Sequence, residues 1–171
     1  KQSEKDRKKK IALLNKKLQE GQHLGKLFNS TKNEETGVVE QETIFLPLDA
    51  SAEVNGYDAT NAHIFGSSMQ PMRLTFTRTE TNKSSNVIFK DGDDLRQDQL
   101  VIQLINLMDS LLKKNGLDLK LTPYRVLATI VSGGLVECVP NSEPMALHKK
   151  SVQRFRRDHN PSPRDPHGIK T

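Results

Sequence analysis

Residues 87–129, VIFKDGDDLRQDQLVIQLINLMDSLLKKNGLDLKLTPYRVLAT, decide the fold. Val87-Ile88-Phe89 is an apolar run of strand formers. After it Val101, Leu104, Ile105, Met108, Leu111 and Leu112 recur at helical spacing and give one broad apolar face. Both ends of that helix are marked in the sequence. Gly92-Asp93-Asp94 supplies a turn and N-terminal acids, while Lys113, Lys114 and Gly116 supply a basic last turn and a stop. Downstream, YRVLATIV, SGG and LVECVP spell strand, turn and strand, a hairpin expected to turn at Ser132 to Gly134.

Upstream, short strand-forming runs, TIFLPLD, HIFGSSMQPMRLTFTRTE and SNVIFKDG, are separated by turn-prone residues such as Asn55-Gly56 and Asn82 to Asn86. Leu74 and Phe76 alternate with polar neighbours at the period of a half-buried strand. Further out, KQSEKDRKKKIALLNKKLQEGQHLGKLF sets Ile11, Leu14 and Leu18 on one stripe opposite lysines. This predicts an amphipathic helix ending near Gly21 or Gly25 and packing from outside. The segment NSTKNEETGVVEQ has the composition of a flexible connection. Beyond Pro140 the chain becomes loop-like, with one short helix expected around Ser151 to Arg157 and a Pro-rich tail. The predicted class is α+β: an antiparallel sheet packed on one long helix, preceded by an amphipathic helix. Three parts are expected: helix and linker over 1–41, a core over 42–140 and a polar tail over 141–171.

Composition narrows the function classes. The 171 residues are 34% hydrophobic and contain no Trp, with a mean hydropathy of -0.64, so the apolar material must concentrate in the centre. The net charge of +5 resides on the flanks, in Arg7 to Lys10 and in Arg154, Arg156 and Arg157, and not on one recognition helix. That placement argues for solvated flanks over a lipid-headgroup or nucleic-acid patch. The single Cys138 excludes an intrachain disulfide and a multi-cysteine zinc site. No run reaches the roughly 20 apolar residues of a membrane span, and the charged start has no apolar core of the signal-peptide kind. A soluble or peripheral protein in a reducing, cytoplasmic setting is expected.

Several residues invite chemistry, each beside a plainer reading. In Phe65-Gly66-Ser67-Ser68-Met69-Gln70-Pro71, small residues let N–H and O–H groups face an anion, or form an ordinary hairpin turn; the Walker spacing is absent. Lys90, at the end of an apolar strand, can reach nucleotide phosphates or stand in solvent. Asp93 and Asp94 suit a cation or, more simply, a helix N-terminus. Asp98, one turn further, could aim at the Tyr124 hydroxyl. The five histidines have no HExxH spacing, and no serine has a recognisable base partner.

Taken together, VIFK, DDLRQDQ and LTPY within residues 87–129 closely resemble the N-lobe of phosphatidylinositol 3-kinases, and DLKLTPYRVLAT looks most like the class III type. The resemblance is strong from Ile44 to Pro140. It implies that Ser67 holds the phosphate-loop position and Lys90 the lysine beside the α-phosphate. Asp98 and Tyr124 match the inner end of the adenine pocket, Glu137 and Val139 the hinge, and Ile88 with Val136 the apolar walls. The turn carries Gly66 where family members commonly have a basic residue. The family's catalytic DRHxxN and metal-binding DFG motifs are absent, so no catalytic or metal residue is assigned in this chain, and the ligands for Mg2+ are expected elsewhere.

The resemblance implies a lipid kinase that moves the ATP γ-phosphate to the 3-hydroxyl of phosphatidylinositol. The parent protein would be peripheral at endosomal or autophagic membranes, with regulatory protein subunits as partners. The alternative is a catalytically inert interaction module that docks on a protein or membrane. By itself the chain is expected to bind ATP poorly, because a pocket closed on one side buries too little ligand.

Overall fold

The computed structural model describes residues 2–21, 24–28, 30–32, 39–80, 83–142, 155 and 158–159. It divides into a unit spanning Lys1–Cys138 and a second spanning Val139–Thr171. Within the second unit, Phe155 stacks on His159 with ring centroids 4.1 Å apart, and Phe155, Asp158 and His159 are helical. The rest of the short helix expected around Ser151 to Arg157 lies outside the described residues.

The first unit opens with helix α1, Gln2–Gln19. Leu18 is buried, Ile11 and Leu14 are half-buried, and the lysines face solvent, as the stripe requires. Gly21 ends the helix at φ +66°, a conformation that costs glycine little. Hydrogen bonds among the described residues fasten α1 to the rest of the unit: Tyr57 Oη donates to the Leu18 carbonyl (2.7 Å), Asn15 Nδ2 to the Thr60 carbonyl (3.3 Å) and Lys10 Nζ to Gln70 Oε1 (2.7 Å). A 3-10 turn, Leu24–Phe28, follows and carries Phe28 onto Tyr57 at a centroid distance of 5.9 Å.

Strands β1 (Ser30–Lys32) and β2 (Val39–Gln41) then pair antiparallel, where the composition suggested only a flexible connection. The main sheet contains β3 (Ile44–Leu46), β4 (Asp49–Tyr57), β5 (His63–Ile64), β6 (Met72–Arg78) and β7 (Ser84–Asp91). Helix α2 (Arg96–Lys114) separates these from β8 (Val126–Ile130) and β9 (Gly133–Glu137). All pairings are antiparallel, in the order β3-β4-β6-β7-β9-β8, with β5 on the end of β6. The chain leaves β7, runs through α2, returns as the edge strand β8, and inserts β9 between β8 and β7. This is the expected α+β arrangement.

Two local expectations are corrected. Asn55-Gly56 is not a turn; it lies within β4, where the register with β6 shifts between Val54 and Gly56. Pairing with both β3 and β6, and the complete burial of Val54, outweigh the turn preference of the dipeptide. The β8–β9 hairpin turns at Val131-Ser132, one step earlier than predicted, because Gly133 and Gly134 belong to β9. A Cβ on Gly134 would lie 2.2 Å from the Leu127 carbonyl oxygen and 2.9 Å from Leu95 Cδ1, so only glycine admits this approach.

The core gathers Leu46, Ala52, Val54, Phe76 and Val87, with Leu74 and Leu135 packed against it. Thr75 is buried among these strands and satisfies its hydroxyl on Asn86 Oδ1 at 2.7 Å. At the start of α2, Leu95 is fully buried against the β8–β9 hairpin. Four residues on, Gln99 Oε1 accepts the Ala128 N–H at 2.9 Å. The helix therefore meets the sheet along β8 through Gln99 and the buried Ile102. Of the face that periodicity singled out, Ile105 and Leu112 are partly buried, while Val101, Leu104, Met108 and Leu111 stay about half exposed, from 46% to 51%. Among the described residues no helix is long and apolar enough to cross a membrane.

Candidate nucleotide-contact site

Strand register builds the first part of the site. Ile88 stands directly opposite Val136, and Lys90 opposite Gly134. Side chains alternate along a strand, so Ile88, Lys90 and Val136 share one face, with Arg73 beside Ile88 on β6. Val87 and Phe89 turn to the opposite face, and Val87 enters the core there. The period of two in Val87 to Lys90 thus separates core from candidate site.

Lys90 Nζ lies 3.0 Å from Asp93 Oδ2, and the lysine side chain is 30% exposed. Asp93 is consequently engaged by the strand-end lysine and does not cap the helix. Asp94 provides the cap-like contact: its Oδ1 accepts the Arg96 N–H at 3.1 Å, and its carboxylate grips the Arg96 guanidinium. Those bonds, the Arg96 side chain first, hold the Asp94 carboxyl down to about 2. Among the described residues no cluster of three or more His, Cys, Asp or Glu side chains is placed to hold a metal, and no step is assigned to one.

The 66–70 turn stands next to the Lys90 turn. Phe65 N–H bonds the Pro71 carbonyl at 2.9 Å and Gln70 N–H the Ser67 carbonyl at 3.1 Å, closing a compact loop with Ser67 exposed. Gln70 sits at φ +46°. From this loop Met69 reaches across to Gly92, where a Cβ would lie 2.8 Å from Met69 Cε. Ser67, Lys90, Ile88 and Val136 are thereby held on neighbouring strands and turns.

Asp98 and Tyr124 lie on α2 and before β8, while Glu137 follows Val136 on β9 and pairs with Val87. Asp98 is exposed in the first turn of α2 and makes no hydrogen bond to Tyr124 among the described residues. Tyr124, 36% exposed, lines a cavity of about 230 Å³ with Leu48, Ile102 and Arg125. It is Gln99, one position after Asp98, that is turned toward β8. Glu137 closes β9: its N–H bonds the Arg125 carbonyl at 2.9 Å, and its Oε2 accepts the Arg125 N–H at 2.9 Å. Val139 opens the second unit, where its carbonyl accepts the Ser142 hydroxyl at 2.7 Å.

Sequence reasoning missed the residues that surround the turn from outside. Arg7 and Lys10 of α1 lie against Gly66 and Gln70 across about sixty positions of chain. The only signal for them was their place on the helix that carries the packing stripe.

An antiparallel sheet with a strand-end lysine beside a small-residue turn, and one long helix leading to a β-hairpin, defines a kinase-like N-lobe. Residues 84–161 match the family model "Phosphatidylinositol 3- and 4-kinase". The chain is 48% identical over 119 residues to the phosphatidylinositol 3-kinase pik3 of Schizosaccharomyces pombe, an alignment covering 68% of this chain and 15% of that protein. It is 42% identical over 132 residues to phosphatidylinositol 3-kinase VPS34 of Arabidopsis thaliana, covering 75% of this chain and 16% of the relative. With phosphatidylinositol 3-kinase VPS34 of Saccharomyces cerevisiae it shares 42% identity over 113 residues, 66% of this chain and 13% of the relative. The chain belongs to the phosphatidylinositol 3- and 4-kinase family. It spans about a seventh of the length of the curated relatives it matches, 15% in the first case.

Proposed function

We propose that this chain is the nucleotide-contacting lobe of a lipid kinase that transfers the ATP γ-phosphate to the 3-hydroxyl of phosphatidylinositol. The observation that carries the reading is the placement of Lys90. It projects from the rigid strand β7 beside the Ser67 turn, on the face shared by Ile88 and Val136. A lysine so held offers a point charge to nucleotide phosphates, and the two apolar side chains offer a wall to a purine. Asp93 pairs with Lys90 at 3.0 Å and keeps the ammonium in place.

The roles of Asp98, Tyr124, Glu137 and Val139 in the adenine pocket follow from the family and are part of this proposal. In-line transfer needs a residue that positions the inositol hydroxyl and carboxylates that hold Mg2+; the DRHxxN and DFG motifs that supply these in the family do not occur in this sequence. The chain's own contribution is to bind and orient the phosphates. The names of the relatives support phosphatidylinositol as substrate. Action at endosomal and autophagic membranes, with regulatory subunits, extends the same reading.

The test is nucleotide affinity and phosphatidylinositol phosphorylation by the complete gene product with Lys90→Ala. ATP binding should weaken at least tenfold and activity should fall to background. Unchanged ATP affinity in a folded Lys90→Ala protein sinks the reading.

A further inference from the structure

Residues 66–71, Gly-Ser-Ser-Met-Gln-Pro, include no charged side chain. The fold supplies one from a distance. A Cβ built on Gly66 would lie 2.6 Å from an Arg7 guanidinium nitrogen, so Arg7 occupies the space that a side chain at position 66 would fill. One helical turn on, Lys10 Nζ donates to Gln70 Oε1 at 2.7 Å. These contacts are anchored, since Tyr57 and Asn15 tie the same helix to neighbouring strands and loops.

Donors stand around the turn. Among the described residues Arg7 Nε is buried without a hydrogen-bond partner, and so is Arg73 Nε on β6. A buried unpaired N–H is costly, which favours an arriving acceptor. His63, beside both arginines, is pushed below its ordinary value by burial first and then by the charges of Arg73 and Arg7, so it adds no full positive charge of its own. On the other side of the turn stands the Lys90 strand end, reached through Met69 and Gly92. Guanidinium groups and hydroxyls around a loop with no carboxylate of its own, with the Lys90 ammonium beside it on its Asp93 partner, suit a phosphate-bearing anion.

We propose that Arg7, assisted by Lys10, contacts the polyphosphate of a bound nucleotide at the 66–70 turn, so that α1 supplies the cation which Gly66 cannot. This rests on the nucleotide reading of the Lys90 site. Gly66 has a steric part in it: absence of a Cβ is what lets the guanidinium approach the turn backbone. Arg7 is therefore a binding residue for the phosphates, and an arginine at position 66 would take its place.

The experiment measures ATP, adenosine and myo-inositol 1-phosphate affinities of the complete gene product for the wild type, Arg7→Gln, Gly66→Arg with Arg7→Gln, and Lys90→Ala. Loss of one charge-assisted contact should weaken ATP about tenfold in Arg7→Gln, leave adenosine unchanged and flatten the salt dependence of ATP binding. Adding Gly66→Arg to Arg7→Gln should restore ATP affinity to within about threefold, because the new guanidinium reaches the same place. Equal weakening of ATP and adenosine would mean that Arg7 only holds the fold, and overturns the proposal. So does an effect confined to myo-inositol 1-phosphate, or failure of Gly66→Arg to rescue. If Arg7→Gln does nothing while Lys90→Ala still weakens ATP, this inference fails and the nucleotide reading stands. If neither variant affects ATP, the nucleotide reading fails with it. Thermal melting identifies an unfolded variant, in which case Arg7→Lys replaces Arg7→Gln and should weaken ATP less than tenfold with adenosine unchanged; no change in ATP would again overturn the proposal.

Discussion

Met69 closes over Gly92: a Cβ at position 92 would lie 2.8 Å from Met69 Cε, and Gly92 itself sits at φ +80°. Its N–H donates to the Ser132 carbonyl at 2.7 Å, which joins the β7 end to the β8–β9 turn. One residue thus couples the 66–70 turn, the Lys90 strand and the last hairpin. Gly92→Ala should destabilise the protein by about 1–2 kcal/mol from the left-handed backbone alone. The Met69 contact adds to that loss. Chemical denaturation should show Met69→Ala recovering part of the deficit in the Gly92→Ala background, with the backbone part remaining.

Gly134→Ala should be worse, because the obstruction is backbone. The added methyl would meet the Leu127 carbonyl oxygen at 2.2 Å, and a paired strand cannot retreat as a methionine tip can. A loss of about 3 kcal/mol or more is expected. Amide exchange should localise it to β8, β9 and the Leu95 turn. An unchanged melting temperature would contradict the strand register.

Asp49 joins the first strands to the last hairpin. Its Oδ2 lies 2.9 Å from Arg78 and 2.8 Å from Arg125, while Oδ1 accepts from the Ser51 hydroxyl at 2.6 Å. The Ser51 hydrogen bonds first, then Arg125, hold the carboxyl below its ordinary 3.8 against the raising effect of burial. A depressed carboxylate contributes stability above 3.8, and that contribution is lost as pH falls through the lower folded value. Asp49→Asn should cost about 1–2 kcal/mol at neutral pH, allowing for solvent around Arg125. Denaturation across pH should show the gap from wild type narrowing below about pH 3.8.

His63 titrates with the opposite chemistry and the same slope. Burial, then Arg73 and Arg7, lower it from 6.5, so the folded state disfavours the imidazolium. Its contribution to stability is complete above 6.5 and declines as pH falls toward the folded value. An NMR titration should give a His63 midpoint below 6.5. In Arg7→Gln it should move toward 6.5 by less than the whole displacement, because burial is the larger cause.

The fold was legible where one physical signal dominated. Period two in Leu74 to Phe76 and in Val87 to Lys90, together with the capped helical repeat after Asp94, placed β6, β7 and α2 in order. The signal failed where local preference met a neighbour. Asn55-Gly56 has the composition of a turn, yet Val54 pairs with β3 and Gly56 with β6, and these hold β4 extended through it. The apolar stripe of α2 predicted which face would pack. Only Ile105 and Leu112 of that stripe are partly buried, and the helix meets β8 along Gln99 and Ile102, because its start is fixed by the burial of Leu95.

The 66–70 turn and Lys90 could be named from the sequence because each motif is local: a run of small residues in one case, the end of an apolar strand in the other. Their adjacency, the pairing of Lys90 with Asp93 rather than with solvent, and the guanidinium of Arg7 over Gly66 were decided only by the tertiary structure. Strand periodicity and helix capping are properties of neighbours along the chain. Which cation stands beside a bare glycine some sixty residues away depends on how α1 docks, and that is set by long-range hydrogen bonds such as those from Tyr57 and Asn15.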